Sequence, residues 1–253
     1  MTILLTGAGR ADVPQQFYFV STGTSFSSGA NIAIPPYTAV WMIEGATIYG
    51  VTSGSVALTG DKSISFGISP SNTLTKFDVS NQALSGVLPS LDAYQNLALL
   101  FVNGNVGLTG AIPSLSGLPL LQSCYFSDCG FTGPLPSLAA NPILADFRAD
   151  NMAGISGNAP SLGGTALSVF TAQWCGITGV VGGFSVPASC LLGRWAGNFI
   201  PQAGIDAILA AFVTAGASGG TLALNGGGNA TPSATGLSNK ATLVSRGWTV
   251  TNN

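Results

Sequence analysis

The sequence predicts an α/β solenoid: a stack of short repeats whose strands form one parallel sheet, between a β-rich N-terminal region and a C-terminal stretch alternating helix and strand. Three observations predict it. An anchor residue recurs at 79, 102, 126, 149, 172 and 195, in steps of 23, 24, 23, 23 and 23 residues. A second short element ending in Gly follows the first five anchors at a nearly constant offset. Near the end, Ile205, Ile208, Leu209 and Phe212 stand at the i, i+3, i+4, i+7 spacing of an amphipathic helix. Self-similarity at a fixed period of this size marks a repeat architecture, in which each unit buries its apolar face only against its neighbours.

The anchors close a six-residue pattern. Leu74-x-x-Phe77-x-Val79 aligns with Leu97-x-x-Leu100-x-Val102, Leu121-x-x-Cys124-x-Phe126, Leu144-x-x-Phe147-x-Ala149, Leu167-x-x-Phe170-x-Ala172 and a weaker Cys190-x-x-Gly193-x-Trp195. Alternate residues of a strand point to the same side, so the second and third members of each set enter one core. Downstream come Leu84-Ser-Gly86, Leu108-Thr-Gly110, Phe131-Thr-Gly133, Ile155-Ser-Gly157 and Ile177-Thr-Gly179. Four of these lead to Pro-Ser-Leu, ending at Leu91, Leu115, Leu138 and Leu162. Gly admits backbone conformations closed to other residues, and Pro ends the pairing on the outer side.

L-x-x-L-x-L followed by L-[ST]-G-x-[IL]-P-S-L resembles the plant-type class of leucine-rich repeats, over about residues 74 to 200. The resemblance implies a curved solenoid of about six units, with a parallel sheet on its concave side used for recognition. The sequence departs from the family at the Asn of the inner ladder, which is found as Asn105 and Asn198; Gln82, Cys129, Met152 and Cys175 take the equivalent places.

Three regions follow: 1–70 as a β-rich docking or capping domain, 71–201 as the solenoid and 202–253 as an α/β cap. In the first, residues 16–20, 39–43, 46–49, 56–58 and 63–66 read as short strands, rich in β-branched and aromatic residues between Gly, Ser and Pro clusters. In the last, Pro201 and Gly216 bracket the first helix. A strand at 221–224, a second helix with Leu237, Ala241 and Val244 on one face, and a strand at 248–250 complete it. This tail also resembles those of leucine-rich-repeat proteins encoded by bacteriophages and prophages. The start lacks a basic segment and a long enough apolar run for a secretory signal, so a soluble chain is expected.

Composition narrows the chemistry. Charged residues are 6% of the chain, the formal net charge is −2, and the few cations are scattered, which gives no electrostatic footprint for nucleic acid or an anionic membrane. With no His, the usual triads and most zinc sites are excluded. Asp128 and Asp150, on adjacent repeats, are the nearest approach to a paired-carboxylate site, and Asp146 shares a strand with Asp150. Solvated or bridged surface acids explain them more simply. The sequence predicts no enzyme, no cofactor and no metal. The four cysteines fall on core or ladder positions, and Cys129 and Cys175 are two rungs of about 4.8 Å apart, too far for a disulfide. Free buried thiols are expected.

The residue before each anchor faces outward, giving the column Asp78, Phe101, Tyr125, Arg148, Thr171, Arg194. Asp150 follows an anchor directly, and Asp128 and Trp174 stand one place further on. Aromatic residues beside Arg have the composition of interface hot spots, and also suit sugar stacking. These nine residues are the candidate binding face. With the resemblance of the tail, they imply a non-enzymatic component of a bacteriophage virion: a capsid-surface decoration protein or a head or tail fibre component, assembled in the host cytoplasm and oligomeric on the particle. Its partners would be other virion proteins, or a host-surface protein or glycan. The competing expectation is a bacterial cell-surface or secreted adhesin of the same fold.

Overall fold

The computed structural model describes residues 75–253, apart from Gln82, Ala83, Pro89 and Ala93, and the backbone of six strands before them. Leu74, Gln82 and the side chains of residues 1–70 lie outside the described residues. The six strands are β1 (Gln15–Ser21), β2 (Ser25–Ser27), β3 (Val40–Ile43), β4 (Ala46–Tyr49), β5 (Ser55–Ala57) and β6 (Lys62–Ile68). All their mutual pairings are antiparallel: β6 lies between β1 and β3, β4 continues from β3, and β2 pairs with β5.

From residue 76 the chain is a parallel-strand β-solenoid of about five turns. Each turn holds an inner and an outer strand: β7 (Lys76–Asp78) and β8 (Leu84–Val87), β9 (Leu99–Phe101) and β10 (Gly107–Gly110), β11 (Ser123–Tyr125) and β12 (Gly130–Phe131), β13 (Asp146–Arg148) and β14 (Ser156–Ala159), β15 (Val169–Thr171) and β16 (Gly176–Val180). Then come β17 (Leu192–Arg194), α1 (Gln202–Ala215), β18 (Gly220–Ala223), α2 (Ala234–Ser245) and β19 (Trp248–Thr251). The inner strands form one eight-stranded sheet in the order β7, β9, β11, β13, β15, β17, β18, β19. The outer strands pair more loosely, and β8 also pairs antiparallel with β1 at Ser85↔Val20 and Leu84↔Ser21. That joins the N-terminal strands to the outer wall.

The register follows the 23-residue step. Phe77, Leu100, Cys124, Phe147, Phe170, Gly193, Leu222 and Val250 are successive partners across the sheet. The anchors Val79, Val102, Phe126, Ala149 and Ala172 are all buried, between 0% and 3% exposed. Each passes its backbone N–H to the carbonyl one rung on, as from Val102 to Tyr125 and from Phe126 to Arg148. Burying a Leu or Phe is worth about 1.5–3 kcal/mol against leaving it exposed, and each of the five turns does so. Large rings fill the broader parts. Phe147 stacks on Phe170 at 5.4 Å, Phe170 on Trp195 at 4.8 Å, and Phe212 of α1 meets Trp195 and Trp248 edge-on. The weak sixth repeat is explained by this packing: a Cβ at Gly193 would stand 2.7 Å from Phe212 and 2.8 Å from Trp195.

Just inside the sheet, Asn105 donates to the carbonyls of Val79 and Val102 and accepts from the Leu84 N–H. Asn198 repeats the pattern with Ala172, Trp195 and Ile177. Cys129 and Cys175 fill the same slot and donate their thiols to Val102 and Ala149. A third ladder Asn corrects the sequence reading: Asn229 donates to Trp195 and Leu224 and accepts from Ile200. It stands five residues after its anchor rather than three because the glycine loop 226–228 intervenes. Asn229 also heads the sequon Asn229-Ala-Thr231, and its buried, doubly bonded amide is closed to modification in the folded chain.

Helix α1 buries Ile205, Ile208, Leu209 and Phe212, the stripe its spacing predicts, and ends at Gly216 in the left-handed conformation. Helix α2 does not follow its pattern. Its buried residues are Gly236 and Leu243, while Leu237 and Val244 are each 50% exposed. Close packing on α1 decides this. A Cβ at Gly236 would lie 1.9 Å from the Asp206 carboxylate, so the helix turns its smallest residue inward and its apolar stripe out.

Candidate functional site

The structure divides the nine candidate residues between two places. Asp78, Phe101, Tyr125, Arg148, Thr171 and Arg194 form one row across adjacent strands, held in line by the parallel register. Asp150 lies just past β13. Asp128 and Trp174 are off the strands, on a ridge where the chain turns away from the sheet.

Within the row, four strands carry a continuous file of stacked groups. Phe101 and Tyr125 stack with centroids 4.4 Å apart and planes inclined by 23°. The Arg148 guanidinium lies 4.8 Å from the Tyr125 centroid, and the Lys76 ammonium 5.7 Å from that of Phe101. Asp146 organises one end: it accepts the Tyr125 hydroxyl at 2.8 Å and both Nε and Nη2 of Arg148 at 2.9 Å. Burial, and next the Asp146 carboxylate, raise the Tyr125 phenol above its ordinary pKa, so it stays a donor. The same carboxylate raises Arg148 still higher. At the other end Asp78 lies 3.7 Å from Lys76 and accepts the Ser80 hydroxyl.

Neither Lys76 nor Asp146 was among the candidates. The signal was present: each stands two places before a row residue, and i and i+2 of a strand share a face. The aromatic rings are less open than the sequence implied, because each covers a face of the other; both are half-buried. Thr171 is 3% exposed and donates its hydroxyl to Asp150 at 2.7 Å, which removes it from any contact surface.

The acids Asp128 and Asp150 serve as bridges between rungs. Asp150 also accepts the Gln173 N–H at 2.8 Å, and Asp128 accepts the Asn151 amide at 3.0 Å. Among the described residues no group of three His, Cys, Asp or Glu could hold a metal ion. The four cysteines are free and buried, and desolvation pushes their thiols up, Cys129 and Cys175 to about 11 and Cys190 to about 12. They are poor nucleophiles at neutral pH. Among the described residues no helix is long and apolar enough to cross a membrane.

Fold and surface together define a β-solenoid that presents a preformed aromatic and cationic strip on its inner sheet. No known protein family and no curated protein matches this chain.

Proposed function

We propose that this chain is a leucine-rich-repeat recognition protein, a non-enzymatic component of a bacteriophage particle displayed as a decoration protein on the capsid surface. The observation that carries recognition is the file Lys76, Phe101, Tyr125, Arg148. Its rings and cations are fixed before any partner arrives, by stacking and by Asp146, so docking costs little side-chain entropy. Aromatic and Arg side chains in such a setting carry a large share of interface energy. The low charge and the many Gly residues suit a surface packed among neighbours in an assembly. The particle assignment rests on the resemblance of the 206–250 stretch to phage-encoded proteins of this class.

Mass spectrometry of purified particles, followed by add-back of recombinant chain to particles lacking it, tests both parts. The chain should appear at a fixed stoichiometry to the major shell protein. Tyr125→Ala with Arg148→Ala should weaken rebinding by about tenfold or more with the fold retained. A chain found only in the cell envelope fraction would favour the adhesin instead. Undiminished rebinding would move the contact off the inner sheet.

A further inference from the structure

The ridge beside the strip carries a different chemistry. The second residue after every anchor adopts a left-handed backbone: Asn81, Gly104, Asp128, Asn151, Trp174 and Gly197 have φ between 54° and 74°, and Gly226, after Leu224, has φ 78°. Six of these seven are Asn, Asp or Gly, the residues that tolerate this region. Trp174 is the exception, and a bulky side chain there is strained. Packing does not require it, since the ring is 57% exposed, the most open of the described Trp side chains. Strain kept at an exposed aromatic residue points to use rather than stability.

The surroundings are shaped to the ring. A Cβ at Gly197 would stand 2.3 Å from Trp174 Cε3, so only Gly lets the indole lie along the next rung. The loop 226–228 continues this floor: Gly226 faces the far end of the indole, Gly227 lies on the backbone of Gly197 and Asn198, and Gly228 abuts Phe199. Phe199 is itself 60% exposed. Two open rings therefore stand at either end of a three-glycine floor. Its ends are two residue steps apart, at most about 7 Å of chain, so one short linear molecule can touch both.

No charged residue occurs at 173–176, 197–200 or 225–230. Amides surround the floor instead. Gln173 adjoins the indole, Asn151 holds the same slot one rung earlier, Asn225 precedes the loop, and Asn253 accepts the Gly226 N–H at 2.7 Å. Asn253 is committed to the fold, since its Nδ2 donates to the Asn229 carbonyl. The Gln173 amide, the Asn225 Nδ2 and the Asn151 Oδ1 supply the donors and acceptors that match a hydroxyl, which does both. We propose that Trp174, Phe199 and the loop 226–228 form a binding site for a neutral oligosaccharide, its sugar faces on the rings and its hydroxyls on the amides. This site is separate from the strip of Phe101 and Tyr125 and stands or falls independently of it.

Titration of the full chain with maltohexaose, cellohexaose, xylohexaose, N-acetylchitohexaose and hexaproline, followed by tryptophan emission, tests the proposal. At least one of the four sugars should give a saturable change. Trp174→Asn, which installs the residue found in this slot at 81 and 151, should weaken that sugar about tenfold or more, Trp174→Phe should weaken it less, and Tyr125→Ala should leave it unchanged. Peptide mapping of the unaltered chain after N-bromosuccinimide treatment gives a reading free of any folding defect: the same sugar should protect Trp174 from oxidation. No response to any sugar, a response to hexaproline alone, wild-type affinity in Trp174→Asn, or unprotected Trp174 at saturating sugar would each overturn it.

Discussion

The five turns from β7 to β16 and the rungs β18 and β19 build the same inner wall by different outer routes. In the turns, the chain returns through a short outer strand, followed in the first four by Pro-Ser-Leu and in the fifth by Gly-Gly-Phe184; after β17 it returns through helices. Yet Leu222 pairs with Gly193 as Gly193 pairs with Phe170, and Asn229 makes the bonds that Asn105 and Asn198 make. The inner wall is constrained by three demands at once: one buried apolar column, unbroken ladder bonds and, at every described rung with a ladder slot except that of Met152, an interior donor for the carbonyls of the turn. The outer wall must only cover the core and bring the chain back, so strand and helix serve equally.

The contrast breaks most visibly at the inner column. Leu100→Asp places a charge at a position with 0% exposure and no partner, so it should cost about 4 kcal/mol or more and abolish cooperative unfolding of the solenoid. Retention of the wild-type melting temperature would refute the register. The ladder gives a smaller effect. Asn198→Ala removes two donated bonds and one accepted bond in a dry site, at about 2–3 kcal/mol. Asn198→Cys should cost less, because a thiol occupies this slot at 129 and 175 and still reaches a carbonyl. Denaturant midpoints of the two variants decide the order; equal losses would mean that the slot needs volume rather than a donor.

These differences also explain what was legible in the sequence. The inner wall was, because a period repeated over several rungs outweighs irregular members such as Cys124 and Gly193. Asn229 was not, since the loop 226–228 shifted it two places from the expected offset. The candidate site was half legible: the row Asp78, Phe101, Tyr125, Arg148 follows from strand alternation, but whether a side chain in that row is open depends on its neighbours across the sheet. Thr171 closes on Asp150 and Phe101 covers Tyr125, contacts between residues some twenty positions apart that no local pattern encodes. The left-handed slot at Trp174 was hidden for another reason. An aromatic residue is so rare in that conformation that nothing in its type announces it.

Helix α2 offers the smallest effect and the sharpest inversion of intuition. Its apolar stripe suggests that Leu237 is a core residue and that Gly236 is expendable, a mild helix weakener that Ala should improve. The packing says the opposite. Leu237 is half exposed, so Leu237→Lys should change stability by no more than about 0.5 kcal/mol. Gly236→Ala gains helix propensity of about 1 kcal/mol but sets its methyl 1.9 Å from Asp206 Oδ1, an oxygen that also accepts the Ser233 N–H at the start of the helix. Asp206 must swing away and give up that bond, so the substitution should be net destabilising despite the better helix former. Thermal melts of the two single variants compare them directly. If Leu237→Lys proves the more damaging, the helix lies on α1 by its apolar stripe after all, and the outer route is held by the same rule as the inner wall.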